Sequence, residues 1–108
     1  MLRDKKEIRS LFIECKEWFD KSGGNSYHSV AVWINGKCFA QESMTYGYGS
    51  QYLTTALEVL IGLGFDFEIN RPLWFQVEEI GADLYRSRSW VNKKELFKYY
   101  RIEDTAGL

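Results

Sequence analysis

The chain has 108 residues, enough for one domain with a modest hydrophobic core. Aromatic residues make up 17% of it, which excludes a disordered chain, because disordered segments are poor in aromatic residues. The net charge is −1, so the chain as a whole is not attracted to nucleic acid or to anionic membranes. No secretory leader and no apolar run of roughly 20 residues is present, so we expect a cytoplasmic protein without membrane contact.

The first predicted element is an amphipathic helix over residues 4–20. Asp4 and Glu7 have the spacing of a capping box at a helix start. Apolar residues recur behind them at intervals of three and four, as on the buried stripe of a helix. These residues are Ile8, Leu11, Phe12, Cys15, Trp18 and Phe19. The glycine-rich run 22–26 then ends the helix, which could be an addition to the rest of the domain.

A β-hairpin is predicted next, with strands over residues 27–34 and 37–44. The Asn-Gly pair at 35–36 joins them and is the favoured pair for a two-residue type I′ turn. A regular register then places Val32 opposite Phe39. Both faces of this hairpin are largely apolar, so we expect helices or a partner to cover both of them.

The central helix is predicted over residues 50–63, with a serine as its N-cap. Gly64 is placed to end it in the left-handed conformation. Residues 65–70 alternate apolar and polar side chains, which predicts a half-buried strand. Two more strands are predicted over residues 73–77 and 82–89.

A short C-terminal helix is predicted from Asn92 to Tyr100, because Asn92 and Glu95 repeat the capping-box spacing. The tail 102–108 is expected to fray. The chain therefore reads as a single α+β domain over residues 1–108. It would consist of an N-terminal helix, a β-hairpin, a central helix, a small and mostly antiparallel sheet, and a short C-terminal helix.

The segment between the hairpin and the central helix is the main candidate for binding a partner. Paired glycines at a helix start can turn backbone N–H groups towards one phosphate or carboxylate. Tyrosines can stack on a base or anchor a protein partner, although they can equally pack against the sheet as core. The candidate binding residues are Tyr46, Gly47, Tyr48, Gly49, Ser50 and Tyr52.

The last third of the chain mixes basic and aromatic residues, a pattern typical of proteins that bind nucleic acid. The alternative is an ordinary charged helix face together with strand-edge residues that discourage aggregation. Residues that could contact nucleic acid are Arg86, Arg88, Lys93 and Lys94.

Catalytic and metal-binding patterns are weak in this sequence. His28 is the one histidine, and the predicted hairpin sets it opposite Ser43 without an acidic partner. Cys15 and Cys38 lack metal-ligand spacing and are expected to be buried free thiols. The acidic residues between 66 and 83 alternate with apolar ones, which indicates a solvated face or an acidic docking patch. We expect no catalytic residue, metal or cofactor.

Residues 24–60 resemble small uncharacterised proteins of bacteriophages and prophages. The similar stretches are Gly24-Asn25-Ser26-Tyr27-His28-Ser29-Val30, Thr45-Tyr46-Gly47-Tyr48-Gly49, Gln51-Tyr52 and Thr55-Ala56. The resemblance implies a viral accessory protein, and it supplies no activity. Small phage proteins often bind and block a host factor, including CRISPR-Cas or restriction machinery. We therefore expect a non-enzymatic protein that inhibits a host or defence protein in the host cytoplasm. The alternative is a module that binds nucleic acid or a nucleotide.

Overall fold

The computed structural model describes residues 3–102, which form a five-stranded sheet with two helices packed on one face. The strand order is β4-β1-β2-β3-β5, with β1 and β4 parallel and the other neighbours antiparallel. The elements are β1 Ser10–Asp20, β2 Asn25–Ile34, β3 Lys37–Tyr46, α1 Gln51–Gly62, α2 Leu73–Glu79, β4 Asp83–Trp90 and β5 Tyr100–Arg101.

The predicted N-terminal helix is wrong, because this segment forms β1, an interior strand of the sheet between β4 and β2. Leu11, Ile13 and Cys15 alternate with less buried residues and pack towards the helices. Because the other face of β1 is partly covered as well, apolar residues occur on both faces and imitate a helical stripe. Asp4 caps only a single 3₁₀ turn, in which its carboxylate accepts a hydrogen bond from the Lys6 N–H at 2.8 Å.

The predicted hairpin is confirmed as β2 and β3, but its register is only partly right. Two irregularities each shift the pairing by one residue. Val32 therefore lies opposite Ala40 rather than Phe39, and His28 lies opposite Thr45 rather than Ser43. Turn chemistry specifies the end of a hairpin, whereas bulges farther along depend on what packs against the strands.

The predicted strands between residues 65 and 77 are also wrong. Phe65 makes one isolated bridge, to Arg3, and the stretch that follows is extended and turned. Residues 73–77 belong to α2, which begins directly after Pro72. Its buried residues are Leu73, Gln76 and Val77, which have the spacing of a helix face.

The central helix and the strand before the C-terminal segment agree with the predictions to within one residue. Gly64 has a φ of +100°, as expected of the residue that ends α1. The predicted C-terminal helix is wrong and is limited to a 3₁₀ turn at Lys93–Glu95. Of the tail predicted to fray, residues 102–108, the structure describes Ile102, whose N–H donates to the Phe39 carbonyl at 2.8 Å and whose side chain packs partly buried against the core. Residues 103–108 lie outside the described part of the chain.

The segment after that 3₁₀ turn crosses the second face of the sheet. The Lys16 ammonium lies 4.2 Å from the Phe97 ring centroid, and the Phe97 N–H donates to the Ser29 hydroxyl at 2.9 Å. The segment then pairs with β3 as β5, and so the sheet is covered by helices on one face and partly by this segment on the other. Among residues 3–102, neither helix is long and apolar enough to cross a membrane.

Candidate partner-binding site

The candidate site is a corner that joins β3 to α1 and consists of residues 46–50, hereafter the tyrosine-glycine corner. Its two glycines both have positive φ, +143° at Gly47 and +64° at Gly49. Tyr46 is 63% exposed and Tyr48 is 72% exposed. The turn imposed by the glycines therefore leaves both rings available to a partner.

Buried His28 fixes the position of this corner. Its Nδ1 lies 3.2 Å from the carbonyl oxygen of Gly47, which can only accept, so Nδ1 carries the proton and donates. Its Nε2 lies 2.7 Å from the hydroxyl of Thr55 in α1 and accepts from it. The Gly47 N–H in turn donates to the carbonyl of Ser26 at 3.1 Å. Gly47 thus hydrogen-bonds the corner to β2, and His28 hydrogen-bonds the same part of β2 to α1.

These contacts give His28 a structural role. Its side chain is 1% exposed, and both ring nitrogens are engaged. Ser43, the partner expected from a regular hairpin, is displaced by the register shift, and Thr45 stands opposite His28 in its place.

An ion pair with a buried carboxylate and a partly exposed guanidinium lies on the same face of the sheet. The carboxylate of Glu17 is 2.7 Å from the guanidinium of Arg88, and Glu17 is 4% exposed. The Arg88 guanidinium lies 5.3 Å from the ring centroid of Tyr52. The hydrogen bond from Arg88 to Glu17 raises the pKa of the Arg88 guanidinium. This pair joins the edge strand β4 to β1, its interior neighbour in the sheet.

Tyr52 belongs to this buried cluster and is not available as an anchor. It is 5% exposed, and burial raises the pKa of its phenol. Cys15 is buried as well, and burial followed by the neighbouring Glu17 carboxylate raises the pKa of its thiol to about 12. The thiol is therefore protonated at neutral pH and is not a nucleophile. Cys38 is also free and is half-buried.

An aromatic row that the sequence did not reveal leads up to the corner. Trp18, Tyr27 and Tyr46 lie side by side on β1, β2 and β3. The rings of Trp18 and Tyr27 are stacked at 5.6 Å, and Tyr27 meets Tyr46 edge-on at 5.8 Å. Since residues 4–20 were predicted as a helix, Trp18 could not be placed beside Tyr27. One side of the Tyr46 ring is thus supported while the rest is exposed.

The four basic residues singled out for nucleic acid do not form one patch. Arg86 and Arg88 line a groove beside Tyr52 on the helix-covered face of the sheet. Lys93 lies 5.3 Å from the ring centroid of Trp18 on the opposite face. Lys93 and Lys94 both line an apolar groove on that opposite side, next to β3. These four residues therefore do not form one continuous basic stripe along a nucleic-acid backbone.

The acidic stretch between residues 66 and 83 is partly neutralised. Arg71 makes ion pairs with Glu68 at 3.0 Å and with Glu79 at 2.8 Å, and these hydrogen-bonded carboxylates raise the pKa of Arg71. Within residues 3–102, no three histidine, cysteine or acidic side chains are grouped as metal ligands. The acids therefore form a solvated, salt-bridged surface.

Three shallow clefts meet at Ser50, the last residue of the corner. One follows the corner itself along Gln51 and Thr54, the second leads to Arg86, and the third leads to Trp74. The stretch 43–57 contains no charged residue, so the cleft along the corner has an uncharged lining, and Arg86 and Arg88 supply the charge of the second cleft. The surface around the corner therefore combines exposed rings, hydrogen-bonding groups and a positive edge.

The hydrogen bond from Thr55 to His28 can be tested by its effect on stability. Replacing Thr55 with valine keeps the side-chain shape and leaves Nε2 of His28 buried without a donor. We expect Thr55→Val to lower the free energy of unfolding by about 1–3 kcal/mol, measured by urea denaturation. Thr54→Val on the exposed side of α1 makes the same change of residue type and should alter it by less than about 0.5 kcal/mol. Equal effects of the two substitutions would refute the proposed role of His28.

Comparisons with protein-family models, with curated proteins and with solved structures find no match for this chain. The function of the corner is therefore inferred from its own contacts, burial and charge.

Proposed function

We propose that the protein is a non-enzymatic binding protein that docks on a partner protein through the tyrosine-glycine corner. The observation that supports this proposal best is the exposure of Tyr46 and Tyr48 on a backbone segment held by buried His28. Tyrosine is enriched among the residues that dominate binding energy at protein interfaces. A corner already fixed in place loses little conformational entropy when it binds.

The surroundings of the corner suggest the chemistry of its partner. The clefts beside Ser50 offer apolar and hydrogen-bonding contacts, and the stretch 43–57 carries no charge. Arg86 and Arg88 add positive charge at one side. We therefore propose a partner surface that presents apolar groups to the two tyrosines and an acidic group towards Arg86.

The identity of the partner is suggested only by the resemblance to bacteriophage and prophage proteins. On that basis we propose a host or defence protein, such as a component of CRISPR-Cas or restriction machinery, that is inhibited in the host cytoplasm. The nucleic-acid alternative receives less support, because the four basic residues are divided between the two faces of the sheet.

Replacing both exposed tyrosines tests the proposal. Tagged protein would be used to capture partners from bacterial lysate, and captured proteins would be quantified by mass spectrometry. We expect the Tyr46→Ala, Tyr48→Ala double variant to recover about tenfold less partner than the wild type. The single variant Tyr48→Ala, which leaves the Tyr27–Tyr46 contact intact, should show a smaller loss in the same direction.

Tyr99→Ala is the matched control, since Tyr99 is also an exposed tyrosine, 61% exposed, and lines a groove that contains none of the corner residues. It should recover as much partner as the wild type. Far-UV circular dichroism of each variant establishes that the fold is retained. Undiminished recovery by a folded double variant would exclude the corner as the binding surface.

A further inference from the structure

Strand β4 forms an open edge of the sheet. It pairs with β1 without interruption over eight residues, from Asp83 opposite Ser10 to Trp90 opposite Glu17. Among the described residues, no strand lies beyond it. Proteins usually protect such edges with charged side chains, proline, a bulge or a covering segment. The strand carries charges at Asp83, Arg86 and Arg88, but it contains no proline, its register is regular, and all of its residues except Leu84 are exposed.

The hydrogen bonds at the two ends of β4 show which backbone groups face outwards. The Asp83 N–H donates to Arg9 at 3.0 Å, and the Val91 N–H donates to Glu17 at 2.8 Å. In a parallel ladder, alternate residues bond to the same neighbouring strand. The odd-numbered residues of β4 therefore bond to β1. The outward N–H and C=O groups belong to Leu84, Arg86, Arg88 and Trp90.

The side chains of the same even-numbered residues lie on the helix-covered face of the sheet. Arg86 lines a groove there with Ser50 and Leu53 of the α1 start, and no acidic residue lines that groove. Arg88 is neutralised by Glu17, whereas residues 3–102 contain no ion-pair partner for Arg86. On the other face, Tyr85 is 58% exposed. A strand added at this edge would meet a positive charge on one face and an aromatic ring on the other.

A second copy of the chain fits this edge poorly. Two copies of β4 would pair antiparallel about a twofold axis perpendicular to the sheet. In that arrangement, residues opposite each other have their side chains on the same face of the sheet. Pairing centred on the strand then sets Arg86 of one copy opposite Arg86 or Arg88 of the other. Like charges directly opposite each other destabilise a strand pair. The charge pattern therefore favours a different chain with acidic side chains.

We infer that the outer edge of β4 takes up an extended segment of a partner protein as a sixth strand, with acidic side chains facing Arg86 and β-branched side chains facing Tyr85. Addition of a strand gives affinity through backbone hydrogen bonds and specificity through alternate side chains. The groove of Arg86 and the corner cleft share Ser50, so one partner could contact both surfaces. The inference rests on the proposed function in taking the occupant to be a protein.

Two synthetic ten-residue peptides test the inference by NMR titration of the ¹⁵N-labelled protein. One alternates glutamate with valine and threonine, and the other has lysine in place of each glutamate. We expect the acidic peptide to cause saturable shifts at the amides of Leu84, Arg86, Arg88 and Trp90 and to slow their hydrogen exchange. The lysine peptide should bind about fivefold more weakly, as for one exposed ion pair.

Two variants separate the backbone contribution from the charge. Arg86→Pro removes an outward N–H but no hydrogen bond to β1, and proline is tolerated at such an edge position. It should abolish binding of both peptides. Arg86→Gln keeps the outward N–H, so it should retain binding and lose the preference for the acidic peptide. Unchanged spectra outside β4 show that each variant is folded.

Three results would overturn the inference. If neither peptide caused saturable shifts, the edge would accept no strand. If both peptides bound equally well, the preference for an acidic segment would be excluded. A dimer of the wild type in sedimentation that is lost in Arg86→Pro would make the occupant a second copy. The Tyr46→Ala, Tyr48→Ala double variant should bind the acidic peptide like the wild type. Failure at the edge and failure at the corner are therefore distinguishable.

Discussion

Replacing Gly47 with alanine is expected to lower the free energy of unfolding by about 3 kcal/mol. Gly47 has a φ of +143°, a backbone conformation that is essentially restricted to glycine. An added Cβ would lie 3.0 Å from Cβ of Gln51 and 3.3 Å from Cε1 of His28. The backbone strain at Gly47 and the close contact of the added Cβ both destabilise the variant, because His28 is buried and cannot move aside. Thermal and urea unfolding measure the loss.

Gly49→Ala provides a matched control in the same corner. Its φ of +64° lies in the left-handed helical region, and an added Cβ would meet nothing within 4 Å. We expect this substitution to cost about 1 kcal/mol, the ordinary penalty of that region for alanine. If Gly47→Ala were no more destabilising than Gly49→Ala, the close packing of the corner against His28 and α1 would be contradicted.

The second large effect is expected from the ion pair between Glu17 and Arg88. Arg88→Met leaves the carboxylate of Glu17 buried without its partner, and we expect a loss of about 2–3 kcal/mol in the free energy of unfolding. The loss is below that of a fully enclosed pair because the Arg88 side chain is 43% exposed, and so water can reach the vacated space. Chemical denaturation at pH 7 measures it.

Glu17→Gln should be milder, at about 1 kcal/mol, since the amide oxygen still accepts from Arg88, which can also reach solvent. The double variant Glu17→Gln, Arg88→Met should lose less than the sum of the two single variants, because Glu17→Gln removes the carboxylate that Arg88→Met leaves unpaired. Additive losses would show that the two side chains act independently.

The parts of the fold that were predictable are those specified by local chemistry. Asn35-Gly36 specifies a tight turn, and the regular spacing of Leu53, Ala56, Leu57 and Leu60 specifies α1. Gly64 ends that helix as its left-handed conformation requires. Each of these signals acts over a few residues and needs no knowledge of what packs against them.

The parts that could not be predicted depend on the rest of the molecule. Buried Glu17 breaks the polar pattern expected of a strand, and only Arg88, which follows far along the chain, makes its burial tolerable. Leu73 to Val77 fits a strand or a helix until its packing on the domain is known. At the candidate site, the positions of the tyrosines were predictable. Which of them are exposed was not, because this depends on His28 and on the aromatic row from Trp18.

The parallel pairing of β1 with β4 has a consequence for how the chain folds. Ser10 finds its partner Asp83 only after the hairpin and both helices have been made. Contacts between residues so distant in sequence raise the contact order, which slows folding. During synthesis, the side of β1 that pairs with β4 stays unpaired until nearly the whole chain has left the ribosome. Folding of the sheet is therefore a late event that requires the C-terminal quarter of the chain.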